Sequence, residues 1–192
     1  MIYLASQNAH KALELGRLLG SDVAPLPGYD APVEDGDTFI ANARIKALAG
    51  AAVAPAGAMT VADDSGIVVE ALDGAPGIHS ARYGGDGLDD AGRVTHLLEE
   101  LGDATDRRAA FVCVLVAIAA DGSELVAEGR VEGTIAAAPS GTSGFGYDPI
   151  FVPDGHTRTS AELSSEEKDA ISHRGKAFRK LAPVLAEALG AR

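Results

Sequence analysis

The sequence has little positive charge and a single cysteine, and each scarcity limits what kind of protein it can be. Its 192 residues contain 16 lysines and arginines against 28 acids, a formal net charge of −12. A protein that grips long nucleic acid needs a basic face, so we expect no such partner. The lone thiol, Cys113, cannot form an internal disulfide, and the apolar run around it predicts burial.

Long hydrophobic runs are also missing. No stretch is long enough to cross a bilayer, so we expect no membrane association. The first residues lack the basic region of a secretory signal, and we therefore expect a cytoplasmic protein. No Walker A phosphate loop occurs, which excludes the P-loop nucleotide-binding proteins. The length itself suits one domain with a sizeable core.

Hydrophobic periodicity predicts alternating strands and helices. A mixture of this kind, with one antiparallel hairpin at Asp121-Gly122, predicts an α/β fold with a mixed sheet. The predicted strands are 2–5, 59–62, 67–72, 109–119 and 125–135, with 21–37 read as a loop. The predicted helices are one that stops at Gly20, one over 38–53, one through Val94–Leu101, and one that starts at the capping box Ser164–Glu167 and breaks near Ser172-His173.

Two polar clusters lie in the first third of the chain. Residues 6–11 open a helix, where N–H groups and Lys11 suit a phosphate, although an ordinary helix cap has the same composition. Residues 63–66 put two carboxylates after a buried strand, where they need cations or a metal, although a tight turn also uses Asp, Ser and Gly.

Two further clusters lie near the C-terminus. In the glycine-rich stretch 141–149, Phe145 and Tyr147 could form a flat slot for a base, or one of them could fold into the core. In 166–175, Lys168, His173 and Arg174 could converge on an anion or on the carbonyl edge of a base. A solvated helix face is the alternative for this last cluster.

Taken together, these clusters resemble the inosine triphosphate pyrophosphatase family, also called the dITP/XTP diphosphatases. The matching segments run in the family's order along nearly the whole chain. They are 5–11 (ASQNAHK), 38–43 (TFIANA), 62–66 (ADDSG), 74–83 (GAPGIHSARY), 144–151 (GFGYDPIF) and 167–175 (EKDAISHRG). His10 and Ser143 replace frequent glycines, and neither change removes a functional group.

The resemblance implies an elongated mixed β-sheet with flanking helices, in which residues 1–192 form a single domain of two lobes around a central nucleotide-binding cleft. It also implies a homodimer. The implied activity is Mg²⁺-dependent hydrolysis of non-standard purine nucleoside triphosphates (dITP/ITP and XTP/dXTP) to the monophosphate and pyrophosphate, which cleanses the nucleotide pool.

The family's roles carry over onto matching positions. Asp64 would bind Mg²⁺ and activate the attacking water, Asp63 would support it, Glu34 would be a second metal ligand, and Ser65 would touch the substrate. Arg174 would donate to the 6-carbonyl of hypoxanthine or xanthine. The triphosphate would be held by Ser6, Gln7, Asn8, Ala9, His10 and Lys11, and the base by Phe145, Gly146, Tyr147, Asp148, Lys168, His173 and Arg174.

Two other readings compete with this one. The Maf-type nucleotide pyrophosphatases share the general architecture, but they open with Ser-x-Ser-Pro-Arg-Arg, which residues 6–11 do not match. A non-catalytic nucleotide sensor would have lost an acid or Lys11, and all of these residues are present.

Overall fold

The computed structural model describes residues 2–19 and 24–188, so the predicted stop at Gly20 lies outside the described residues. In chain order the elements are β1 (Ile2–Leu4), α1 (Ala9–Leu19), β2 (Ala24–Pro25), α2 (Phe39–Val53), β3 (Met59–Val69), α3 (Asp90–Leu101), β4 (Arg108–Ile118), β5 (Glu124–Ile135), β6 (Phe151–Pro153), α4 (Ser165–Ile171) and α5 (His173–Ala188). Short 3₁₀ helices among the described residues lie at Glu70–Leu72, Gly77–Arg82, Asp148–Ile150 and Ser160–Glu162.

The strands described form one mixed sheet in the order β2-β1-β3-β4-β5-β6. β1 pairs in parallel with both β2 and β3, whereas β5 and β6 are antiparallel. The predicted α/β fold with a mixed sheet is therefore confirmed. The reading of 21–37 as loop alone was wrong, because β2 adds a two-residue edge strand within it.

The chain divides into two compact units. The first unit comprises Met1–Asp64, Cys113–Gly129 and His173–Arg192, and the second comprises Ser65–Val112 and Arg130–Ser172. Each unit has its own apolar core.

The core of the first unit explains why the second half of β4, Cys113–Ile118, contains only apolar residues. Cys113 and Leu115 belong to a cluster with residues of α1 and α5, while Val114 and Val116 belong to a cluster with residues of α2. Successive side chains of a strand point to opposite faces of its sheet. Because helices cover both faces at β4, no polar alternation remains in its sequence.

β3 is a single strand of 11 residues, which corrects the prediction of two strands separated by a turn at Asp63–Gly66. Ala62 and Ile67, on either side of the acidic pair, are fully buried. The turn-forming tendency of Asp and Ser is overridden because both carboxylates are buried and paired with cations.

The core of the second unit lies between α3 and the sheet. Val94, Leu97 and Leu101 recur on one face of α3 and pack with Phe111 and Val131. Along β5, buried and exposed residues alternate strictly from Ala127 onward, as the sequence predicts for a strand with one solvated face.

The last helix begins very close to β5. A Cβ atom on Gly129 would lie 2.0 Å from the carbonyl oxygen of His173 and 2.4 Å from the backbone nitrogen of Ala177, so only glycine fits there.

The predicted capping box at Ser164 and Glu167 and the break at Ser172 are both present. In the described part of the chain, no helix has the length and hydropathy that crossing a bilayer requires.

The buried thiol yields a test of the core. Burial raises the pKa of Cys113 to about 12, so at pH 8 the thiol is both protonated and inaccessible. We expect no reaction with an aromatic disulfide reagent in native buffer, and labelling that follows the unfolding curve as denaturant is added. Rapid stoichiometric labelling of the native protein at pH 8 would contradict this packing.

Candidate active site

Asp63 lies on the face of β3 that α1 and α5 cover. Its Oδ2 is 2.9 Å from Nζ of Lys11 on α1 and 3.1 Å from Nη2 of Arg174 on α5. The other terminal nitrogen of Arg174 binds Glu14, one turn further along α1. Arg174 and Asp63 are only 2% and 3% exposed. The result is a buried network of two cations and two carboxylates.

Asp64 points to the opposite face of the strand, because side chains alternate. There it meets α2, whose Lys46 places Nζ 3.0 Å from Oδ1 of Asp64. The same ammonium is 3.1 Å from Oε1 of Glu34, which lies in the loop before α2. The second oxygen of Asp64, Oδ2, is buried and has no hydrogen-bond partner among the described residues.

The two neighbouring carboxylates titrate in opposite directions. Burial acts to raise the pKa of Asp63, but Lys11, Arg174 and Lys46 outweigh it and hold that pKa well below its usual range. Burial raises the pKa of Asp64, and Lys46 compensates for it only in part. Asp63 is therefore a fixed anion, while Asp64 is the more basic carboxylate and the better proton acceptor.

The start of α1 is capped from within its own turn. Oδ1 of Asn8 accepts from the backbone nitrogens of His10 at 2.9 Å and Lys11 at 3.2 Å. The backbone nitrogen of Asn8 donates to Oγ of Ser6 at 3.1 Å. The backbone N–H groups of His10 and Lys11, which were expected to bind a phosphate, thus already donate to Asn8. The positive charge that this cluster offers to a phosphate is the ammonium of Lys11.

A second polar cluster lies in the second unit. Oδ2 of Asp148 accepts from the backbone nitrogen of Phe145 at 2.8 Å and from Nζ of Lys168 at 2.6 Å. The same ammonium stands 5.0 Å from the centre of the half-buried Phe145 ring. A Cβ on Gly144, whose φ is +77°, would lie 2.1 Å from Oδ2 of Asp148, so the loop needs a glycine there. This arrangement combines an aromatic face with a fixed donor.

The sequence of this chain matches the Ham1 family model over residues 2–184. The chain belongs to the Ham1 family. It is 47% identical to the dITP/XTP pyrophosphatase of Corynebacterium efficiens, over 98% of this chain and 99% of that protein. It is 49% identical to the enzyme of the same name from Streptomyces coelicolor, over 98% of both. The solved structure of a HAM1 protein from Coxiella burnetii, 44% identical, superposes with a TM-score of 0.86 over 97% of this chain and 98% of that one.

Within this Ham1 chain, the predicted site residues fall into two groups. Lys11, Asp63, Asp64 and Glu34 gather in the first unit through the ion pairs described above. Phe145, Asp148 and Lys168 gather in the second unit. Of the others, Ser65 is half-buried on β3, His173 is the buried first residue of α5, Gln7 and His10 are exposed, and Ala9 begins α1.

Two predicted base contacts have other partners in the structure. Tyr147 is 4% exposed and packs in the core of the second unit, where its hydroxyl donates to the carbonyl of Ser80 at 2.9 Å. Its ring is therefore part of that core in this structure, and a stacking contact with the base stays a prediction. The guanidinium of Arg174 binds Glu14 and Asp63, and its contact with the base also stays a prediction. Its geometry fits a group that positions Asp63 and Lys11, since it is enclosed by the network.

Sequence reasoning missed Lys46 and Glu14. Lys46 lies beside Ala43 and Ala47, which are fully buried on α2. A lysine among the apolar residues of a helix that packs on a sheet is the sequence signal that could have identified it. Glu14 stands three residues after Lys11, which puts both on one face of α1. Its 2% exposure depends on Arg174, 160 positions away, and no local pattern could reveal that pairing.

The residues present fit a divalent metal ion. Glu34 and Asp64 converge on one positive charge, and Asp64 keeps a buried oxygen with no hydrogen-bond partner in the described residues. Mg²⁺ is ordinarily bound by one or two carboxylates, and water and substrate phosphates complete its shell. Among the described residues, no group of three or more His, Cys, Asp or Glu side chains gathers as a ready metal cage.

The network around Arg174 predicts a large effect on stability. Arg174→Met leaves Glu14 without its buried partner and removes one of the cations on Asp63, and we expect a loss of about 3–5 kcal/mol in the free energy of unfolding. Chemical denaturation measures it. Arg158→Met is the control: it breaks the exposed pair with Glu167 and should cost less than about 1 kcal/mol. Equal losses for the two variants would refute the network's role.

Proposed function

We propose that this protein hydrolyses non-standard purine nucleoside triphosphates, dITP/ITP and XTP/dXTP, to the monophosphate and pyrophosphate. Its relatives named dITP/XTP pyrophosphatase match it over nearly their whole length. The observation that carries the chemistry is the pair of adjacent carboxylates, Asp63 and Asp64, one held as an anion and the other made more basic.

Asp64 is the proposed general base. It accepts a proton from a water molecule whose oxygen attacks the α-phosphorus, and pyrophosphate leaves with the oxygen that joined the α- and β-phosphorus atoms. Lys11 and Lys46 supply positive charge for the phosphates. Asp63, fixed as an anion, keeps the ammonium of Lys11 in place. Ser65 and the turn at 6–11 contribute the remaining proposed phosphate contacts.

Glu34 and Asp64 are the proposed ligands of Mg²⁺. When bound, the metal would neutralise phosphate charge and acidify the attacking water. The support is the chemistry of the donor set, in which both carboxylates already face one shared cation.

Phe145 and Lys168 are the proposed core of the base site, and Gly146, Asp148 and His173 stay proposed base contacts on the strength of the family resemblance. The ring offers a face for stacking. The ammonium of Lys168 can only donate a hydrogen bond, so it favours the 6-carbonyl of hypoxanthine and xanthine over the 6-amine of adenine. Asp148 orients that donor, as the 2.6 Å ion pair indicates.

We also propose a homodimer, on the strength of the family resemblance alone, and the cytoplasmic location stays a prediction from the sequence. Sedimentation at several protein concentrations tests the dimer. The Maf-type alternative is not favoured, because the family match is to Ham1 over residues 2–184.

Pyrophosphate release tests the activity and separates it from a non-catalytic nucleotide sensor. We expect Mg²⁺-dependent release from ITP and XTP by the native protein. Asp64→Asn should lower kcat by about 10²- to 10⁴-fold, because a carboxamide cannot accept the proton. Circular dichroism should show an unchanged fold. A variant with near-normal kcat at saturating Mg²⁺ would rule out Asp64 as the base.

A second pair of variants separates the base site from the phosphate site. Lys168→Met should reduce the preference for ITP over ATP by about 10- to 100-fold in kcat/KM, since the 6-carbonyl loses its donor. Lys11→Ala should lower kcat/KM for both substrates by the same factor, because every triphosphate has the same phosphates. Parallel losses in Lys168→Met would exclude base recognition by this residue.

A further inference from the structure

We infer that Asn42 is a positioning residue that holds Glu34 in place for its role at the divalent cation, an inference that rests on the proposed function. Asn42 lies in α2 and has no exposed surface. Its Oδ1 accepts a hydrogen bond from the backbone nitrogen of Gly36 at 2.9 Å. A backbone N–H can only donate, so this contact assigns the orientation of the side-chain amide.

The loop that carries Glu34 is largely exposed on both sides of the acid. Val33, immediately before it, is 81% exposed, and Asp35 and Asp37 are also exposed. At Gly36, however, the loop lies directly against α2. A Cβ atom there would be 2.7 Å from Oδ1 of Asn42 and 2.7 Å from Cβ of Ala41. The backbone is therefore anchored two residues after the acid.

The same helix face holds the carboxylate itself. Lys46 follows Asn42 by four positions, so the two side chains lie on one face of α2. Lys46 binds Glu34 at 3.1 Å and Asp64 at 3.0 Å. Asn42 thus holds the backbone of the loop at Gly36, and Lys46 holds the carboxylate of Glu34. The two contacts together fix the position of Glu34 relative to Asp64.

The second polar atom of the amide favours positioning over plain stabilisation. Nδ2 of Asn42 is buried and has no hydrogen-bond partner in the part of the chain that the structure describes. A buried donor without a partner is unfavourable for stability. The side chain is therefore best explained by its acceptor, which is the atom that holds Gly36.

The first experiment measures this anchor without nucleotide or metal. Asn42→Leu keeps the branched shape and removes the acceptor, whereas Asn42→Asp keeps an acceptor oxygen. We expect the amide of Gly36 to exchange with solvent about tenfold faster in the Leu variant, and at close to the native rate in the Asp variant. Unchanged exchange in Asn42→Leu would overturn the inference, even for a variant of reduced stability.

The second experiment asks whether Asn42 acts through Glu34. We expect Asn42→Leu to raise the Mg²⁺ concentration for half-maximal pyrophosphate release by about tenfold, and to have no further effect when Glu34→Gln is already present. Thr38→Ala is the matched control, since it removes the N-cap of the same helix and should leave the Mg²⁺ requirement unchanged.

The outcomes separate the inference from the function on which it rests. Independent, multiplying effects of Asn42→Leu and Glu34→Gln, or an equal shift in Thr38→Ala, would overturn the positioning role while leaving the activity intact. A native protein that releases no pyrophosphate from any purine triphosphate would overturn the proposed function, and exchange at Gly36 would still decide whether Asn42 holds the loop.

Discussion

Alternation along β3 sends Asp63 and Asp64 to opposite faces of the sheet, so each buried carboxylate forms its direct ion pairs with cations on its own face. Each face must therefore supply its own positive charge. α1 and α5 bring Lys11 and Arg174 to Asp63, and α2 brings Lys46 to Asp64. These three helices therefore supply charge to the strand as well as apolar packing, and a buried carboxylate without a partner would be very unfavourable.

The two faces differ in how completely the charge is balanced, and that difference is chemically useful. Asp63 has more than one cation within ion-pair distance, so its proton is lost under all ordinary conditions. Among the described residues, Asp64 has one cation at ion-pair distance, Lys46, which it shares with Glu34. A buried ion-pair network is weak evidence for stability as such. Its asymmetry is better explained as a way to make two chemically identical side chains behave differently at neutral pH.

The fold was largely predictable, because apolar periodicity reports which face of an element is covered. α3 follows from that periodicity, and β4 follows from the continuous apolar run of its sequence. The break predicted at Asp63 was wrong because local turn propensity contains no information about cations that arrive from distant helices. Local sequence likewise could not reveal the partners of Tyr147 and Arg174 within the fold. Ser80 lies 67 positions from Tyr147 and Glu14 lies 160 positions from Arg174. Family motifs identify such positions without stating which way the side chains point.

The steric constraint at Gly129 affects the buried ion pairs of the site. The backbone of α5 rests directly on this position, and Arg174 is the second residue of that helix. Any side chain at 129 would lever the start of α5 away from the sheet and draw the guanidinium off Asp63. A residue with no functional group of its own therefore constrains, through steric exclusion alone, where the buried guanidinium of Arg174 can lie. A substitution at this position would disturb the ion pairs of Asp63 without changing any charged residue.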